Sequence, residues 1–239
     1  MSYKYKKLFE SFKIGNLTIK NRFCMSPMLF TANFKTNGDF SEEGIVYFEE
    51  RAKGGFGLLI TGAMLVDEEV DPSTAPFGYP NPLRSPATFF RTAKRMTDRC
   101  HRYGSKVFAE ISFGTGRNMP GFKTPSEIEI LGDPHSKSEA LTIDEIQSKI
   151  RQVVEAAAIC KQAGFDGVDV HGLHWGYLLD EFATPLMNQR TDQYGGSLEN
   201  GVRICKEALE GIKQACGDDY PVSIRVNMKQ FLRGLNNGG

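Results

Sequence analysis

Two imidazoles and a phenol recur at three-residue intervals in this sequence. His171, His174 and Tyr177 lie in the stretch DGVDVHGLHWGYLLDEF, which begins at Asp166. Neutral imidazoles that donate hydrogen bonds can stabilise a substrate oxygen as it gains negative charge. A phenol, with an ordinary pKa near 10, still carries its proton at neutral pH and can give it up beside a reacting carbon. Histidines at i and i+3 also suit a metal ion, but zinc needs at least a third protein ligand, and only His101 and His135 remain. The bland alternatives are two satisfied loop histidines and, for Tyr177, an amphipathic core residue. Arg225 and Glu110 pose a related question, because each falls near the end of an apolar run where a buried charge needs a partner. For Arg225 that partner is either an anionic ligand or one of the acids Glu110 and Asp169.

The elements that would carry these groups alternate in type. The run Gly167–Val170 reads as a buried parallel strand that surfaces at His171, so the three candidates fall on a strand-to-helix loop, where α/β proteins concentrate catalysis. Similar strands are expected at Arg22–Met28, stopped by Pro27; at Phe56–Thr61; at Lys106–Ile111; and at Tyr220–Val226. Between them, helices are expected after Ser41, with Glu42 and Glu43 in the first turn, after the Ser85–Pro86 cap, after the Thr142/Glu145 capping box, and over Leu198–Ala215. Phe12–Ile19 suggests a hairpin around Gly15–Asn16 that plugs one end of a barrel. The segment Ser112–Leu141 is long for a simple connection and reads as a lid or substrate-facing segment. Alternating strands and helices imply a parallel sheet in one α/β domain spanning 1–239. No G-x-G-x-x-G follows the first strand, which argues against a doubly wound dinucleotide-binding sheet.

Composition narrows the partners. Lys plus Arg and Asp plus Glu number 29 each in 239 residues, so no charge excess draws the chain to nucleic acid or to an anionic membrane. No apolar run is long enough to span a bilayer, and the start MSYKYKKLFESF has no signal-like apolar core. The five cysteines are scattered and form no C-x-x-C pair, which fits reduced thiols in the cytoplasm.

The motif HGLHWGYLLDEFATPLMNQRTDQYGGSLEN, together with the opening LFESFKIGNLTIKNRFCMSPM, resembles the Old Yellow Enzyme family of NADH:flavin oxidoreductases. The extra residue between His174 and Tyr177 is similar to the branch of bile-acid-inducible enone reductases and 2,4-dienoyl-CoA reductase. The resemblance implies an FMN-binding (β/α)8 TIM barrel and reduction, by NADH or NADPH through FMN, of the C=C bond of a small-molecule enone or enoyl substrate. It implies that Ser26, Pro27, Met28, Leu29, Ala63, Glu110 and Arg225 meet the flavin. His171 and His174 would hold the substrate carbonyl beside Trp175, and Tyr177 would protonate the α-carbon; no metal is implied. Four departures stand out. Glu110 takes the place of a flavin-bonding Gln, and an ionised carboxylate can only accept. Leu29 replaces a Thr or Cys, Trp175 is inserted, and Gly201 replaces an Arg. The family pattern also continues for three strands beyond Tyr220–Val226, including those that hold the FMN phosphate. The expectation is therefore a barrel truncated after about the fifth strand. The alternative is a non-catalytic fragment, or half of a split enzyme that needs a complementing C-terminal chain or another copy of itself.

Overall fold

The computed structural model describes residues 4–71, 79–174 and 176–229. Strands β1 (Phe12–Ile14) and β2 (Leu17–Ile19) form the expected antiparallel hairpin, turning through Gly15 at φ 55°. The short β3 (Cys24–Met25) follows, stopping before Pro27, which has no N–H for a ladder. Helix α1 (Glu42–Lys53) begins at Ser41, whose hydroxyl accepts the Gly44 N–H. Then come β4 (Leu58–Ile60), a two-residue β5 (Met64–Leu65), α2 (Pro86–His101) and β6 (Lys106–Ser112). Proline opens α2 as anticipated, but the Ser85 side chain makes no capping bond. The long segment after β6 carries its own hairpin, β7 (Glu129–Ile130) with β8 (Asp133–Lys137), so it is a folded subelement.

Helix α3 (Ile143–Gln162) has both halves of the Thr142/Glu145 capping box. It leads to β9 (Gly167–His171), which is buried throughout. The short helix α4 (Leu178–Ala183) follows directly. The single helix expected over Leu198–Ala215 is divided into α5 (Leu198–Gly201) and α6 (Arg203–Cys216). The break at Val202 adjoins a close approach: a Cβ on Gly201 would lie 2.8 Å from the Phe182 carbonyl oxygen. Glycine in place of the family's Arg thus lets α5 abut the end of α4. The last described strand is β10 (Val222–Arg225).

The principal sheet runs β10-β9-β6-β4-β3 with every neighbour parallel, and β5 pairs with the far end of β6. Strand order follows chain order without reversal, as in one sector of a β/α barrel; a doubly wound sheet would reverse at a switch point. The main core lies between the sheet and its helices and includes Met25, Leu59, Val107, Ala109, Val168 and Val170. The opposite faces of those strands look into the barrel. There Leu58 and Phe108 pack with Ile19, Ile14 and Leu17, so the hairpin does close one end. Glycine at 167 is required by this packing, since a Cβ would lie 2.6 Å from the Phe108 ring.

Candidate active site

Pleating decides which groups meet at the other end. On β6, Val107, Ala109 and Ile111 join the helix-side core, so Phe108 and Glu110 point inward. The register then sets Glu110 beside Asp169 on β9, Asp169 beside Ser223 on β10, and His171 beside Arg225. One turn of pleat therefore collects two acids, a histidine and an arginine at the C-terminal ends of three adjacent strands. Of these, Glu110, His171 and Arg225 line a cavity of about 440 Å³ together with Pro27, Met28, Leu29, Phe30, Ala63, His174 and Tyr177, while Asp169 stands beside Glu110 behind the lining.

Most of the sequence-derived candidates converge here. Ser26 is exposed and does not line the cavity, and Trp175 lies outside the described residues. Phe30 was not anticipated; it follows Leu29 along the same wall, and its ring stands 5.3 Å from Tyr47. The sequence offers Asp169 only as an alternative partner for Arg225. Its hydroxyl donor Ser223 was missed, because the contact depends on the β9–β10 register. His101 belongs to the other end of the sheet, where its Nε2 lies 2.7 Å from Asp166. Among the described residues no group of three or more His, Cys, Asp or Glu is arranged to hold a metal ion.

His171 Nε2 and His174 Nδ1 are 3.1 Å apart and share a hydrogen bond. His171 Nδ1 is buried without a hydrogen-bond partner among the described residues. Which ring donates in the shared bond follows from the tautomer. Both rings are neutral at pH 7. Burial, then His174 and Arg225, drive the His171 pKa down to about 3. Burial, with Arg225, also lowers that of His174. The Tyr177 ring lies 4.4 Å from that of His171, tilted by 48°. Burial, then Tyr79 and Glu110, raise the Tyr177 hydroxyl above its ordinary value, so it keeps its proton.

Arg225 Nη1 is 3.5 Å from Glu110 Oε1, so one of the acids that the sequence offers as its partner does stand beside it. It is a weak pairing. Glu110 Oε1 makes no hydrogen bond among the described residues, and a third of the Arg225 side chain remains exposed, 34% by area. The cavity thus has an apolar wall from Pro27, Met28, Leu29 and Ala63 facing a wall of donors, one cation and two unsatisfied buried polar atoms. A flat ring system with one apolar edge and one polar, electron-rich edge matches that division. The residues present fit the isoalloxazine of a flavin.

Fold and site together define a β/α-barrel oxidoreductase sector with its chemistry at the C-terminal mouth. The chain belongs to the NADH:flavin oxidoreductase / NADH oxidase family, whose model matches residues 7–235. A cinnamate reductase from Clostridium sporogenes is 41% identical over 245 residues, covering 100% of this chain and 37% of its own length. An NADPH dehydrogenase from Clostridium acetobutylicum is 31% identical over 95% of this chain and 66% of itself. The solved Old Yellow Enzyme of a Pichia species superposes with a TM-score of 0.82 at 27% identity, over 98% of this chain and 62% of that one. The chain therefore spans about a third to two thirds of these relatives. Among the described residues, no helix is long and apolar enough to cross a membrane.

Proposed function

We propose that this chain carries the flavin-facing and substrate-facing residues of an FMN-dependent, NAD(P)H-driven reductase acting on the C=C bond of an α,β-unsaturated carbonyl compound. The observation that supports it most is the pairing of two neutral imidazoles with a protonated phenol across one cavity that has an apolar flank. FMN, when bound, supplies hydride to the β-carbon and is recharged by the nicotinamide. Pro27, Met28, Leu29 and Ala63 would hold its ring, with Glu110 and Arg225 at its polar edge. A substrate carbonyl oxygen would accept hydrogen bonds from both rings, in place of the one that His171 Nε2 and His174 Nδ1 now share. Because both rings are neutral, they polarise that oxygen without protonating it. Tyr177 gives its proton to the α-carbon and recovers one from water. An aryl enoate is the substrate class suggested by the named cinnamate reductase.

Visible absorption of the purified chain, before and after FMN and gel filtration, tests the first half of this reading. Flavin bands that appear on titration but are weakened or lost on gel filtration are expected, since the resemblance assigns the phosphate grip to strands beyond Tyr220–Val226; tight stoichiometric retention would contradict that. A chain that takes up no FMN would refute it. NADPH consumption with cinnamate and with a cyclic enone then tests the chemistry. Tyr177→Phe should lose about 10²–10⁴-fold in turnover, as for a general acid, while flavin reduction by NADPH stays unchanged.

A further inference from the structure

Glu110 has features that the reduction scheme leaves unused. Its residue is 2% exposed and lines the cavity, yet its buried Oε1 has no hydrogen bond among the described residues. The groups packed around it come from several elements. Asp169 stands beside it on β9 and Arg225 on β10, the Thr61 hydroxyl after β4 accepts its backbone N–H, and Tyr177 and His171 share its cavity; Ser223 donates to Asp169, whose charge in turn reaches Cys24 on β3. Burial, then the Asp169 carboxyl, raise the Glu110 pKa to about 8, against the opposing pull of Arg225. Asp169 is also pushed upward by burial, although Ser223 donates to it and Arg225 opposes the shift. Two carboxyls in register inside a barrel do not both ionise cheaply. At neutral pH the cavity wall therefore presents a carboxylic acid, which can donate where a carboxylate can only accept.

We infer that Glu110 binds the flavin as the neutral acid, donating its proton in a hydrogen bond to an acceptor on the polar edge of the ring, so that cofactor affinity follows the protonation of this one side chain. This rests on the flavin reading above. Ionised Glu110 would set lone pairs against lone pairs and add negative charge beside an electron-rich edge. Apparent affinity then scales with the neutral fraction. It is full below the Glu110 pKa and falls about tenfold from pH 7 to pH 9. An amide at this position would donate at every pH.

FMN titrations followed by flavin fluorescence, from pH 6 to pH 9.5, compare the chain with Glu110→Gln. Ionisations of FMN itself are common to both proteins and cancel in the ratio. The expected result is that the affinity of the parent relative to that of the variant falls about tenfold between pH 7 and pH 9. Parallel profiles overturn the role of Glu110 while keeping the flavin reading. No binding by either protein at any pH overturns that reading and this inference with it. Should Glu110→Gln fail to fold, infrared difference spectra of the parent decide. A protonated-carboxyl C=O band that shifts on FMN addition at pH 7 supports the inference, and its absence sinks it.

Discussion

Lys149 offers the sharpest test of what braces the mouth of the sheet. Its side chain is 1% exposed on α3, and its ammonium bonds Asp67 and lies 2.8 Å from Asp71 and 3.3 Å from the Phe113 carbonyl. It ties the helix to the chain that follows β5 and to the end of β6. Lys149→Met keeps the aliphatic stem but leaves two buried carboxylates without their cation. Breaking a buried pair from one side costs about 3–5 kcal/mol. The lower end applies here, because Asp67 still accepts the N–H groups of Glu69, Val70 and Asp71 and the Gln152 amide, and Asp71 still accepts the Lys123 N–H. About 3 kcal/mol corresponds to a fall in Tm of about 6–12 °C for a chain of this size. Burial by itself would raise the Asp67 carboxyl, but Lys149 and the backbone donors outweigh it and hold the group below its usual range. A depressed folded-state pKa contributes stability above the unfolded value and loses it as pH falls. The variant lacks that contribution, so its deficit should be widest at neutral pH and close below about pH 4. Urea unfolding followed by circular dichroism at pH 7, 5 and 3.5 measures it. A loss under about 1 kcal/mol at pH 7, or a deficit that does not narrow in acid, would refute the reasoning.

Three further outcomes follow from the same geometry. Because the folded-state pKa of Glu110 is raised, its contribution to stability is fully present below the unfolded value and disappears as pH rises through about 8. Glu110→Gln should therefore stabilise the chain by about 3 kcal/mol at pH 7 and flatten its stability between pH 5 and pH 9, read from urea midpoints. His171 should stay neutral in nitrogen-15 NMR spectra from pH 8 to pH 4, with the stability linked to it present above the ordinary histidine pKa and lost as pH falls toward about 3; titration near 6.5 would contradict its burial. Gly167→Ala should cost about 1–3 kcal/mol by overpacking. Phe108→Leu should recover only part of that, since the Pro221 carbonyl oxygen also stands 2.7 Å from the new Cβ.

Much of the architecture was legible from local rules. The hairpin at Gly15–Asn16, the Ser41 cap, the Thr142/Glu145 box and the continuously apolar strands each follow from interactions within a few residues, which are present in the sequence itself. The motif around His171 likewise marked the site, and a strand that surfaces there placed it on the mouth of the sheet. What escaped was non-local. The split of the helix at Val202 reflects a contact between Gly201 and Phe182, and Ser85 fails to cap although its position is right. Above all, the sequence names Glu110, Asp169, Ser223 and Arg225 but cannot say that they touch. A one-residue change in the pairing of β6, β9 and β10 would turn each of these side chains into the opposite layer. Residue identities determined which chemistries were available to this protein. The register of three parallel strands, a property of the folded sheet alone, decided that two buried carboxyls would stand side by side at the mouth and push each other's pKa upward.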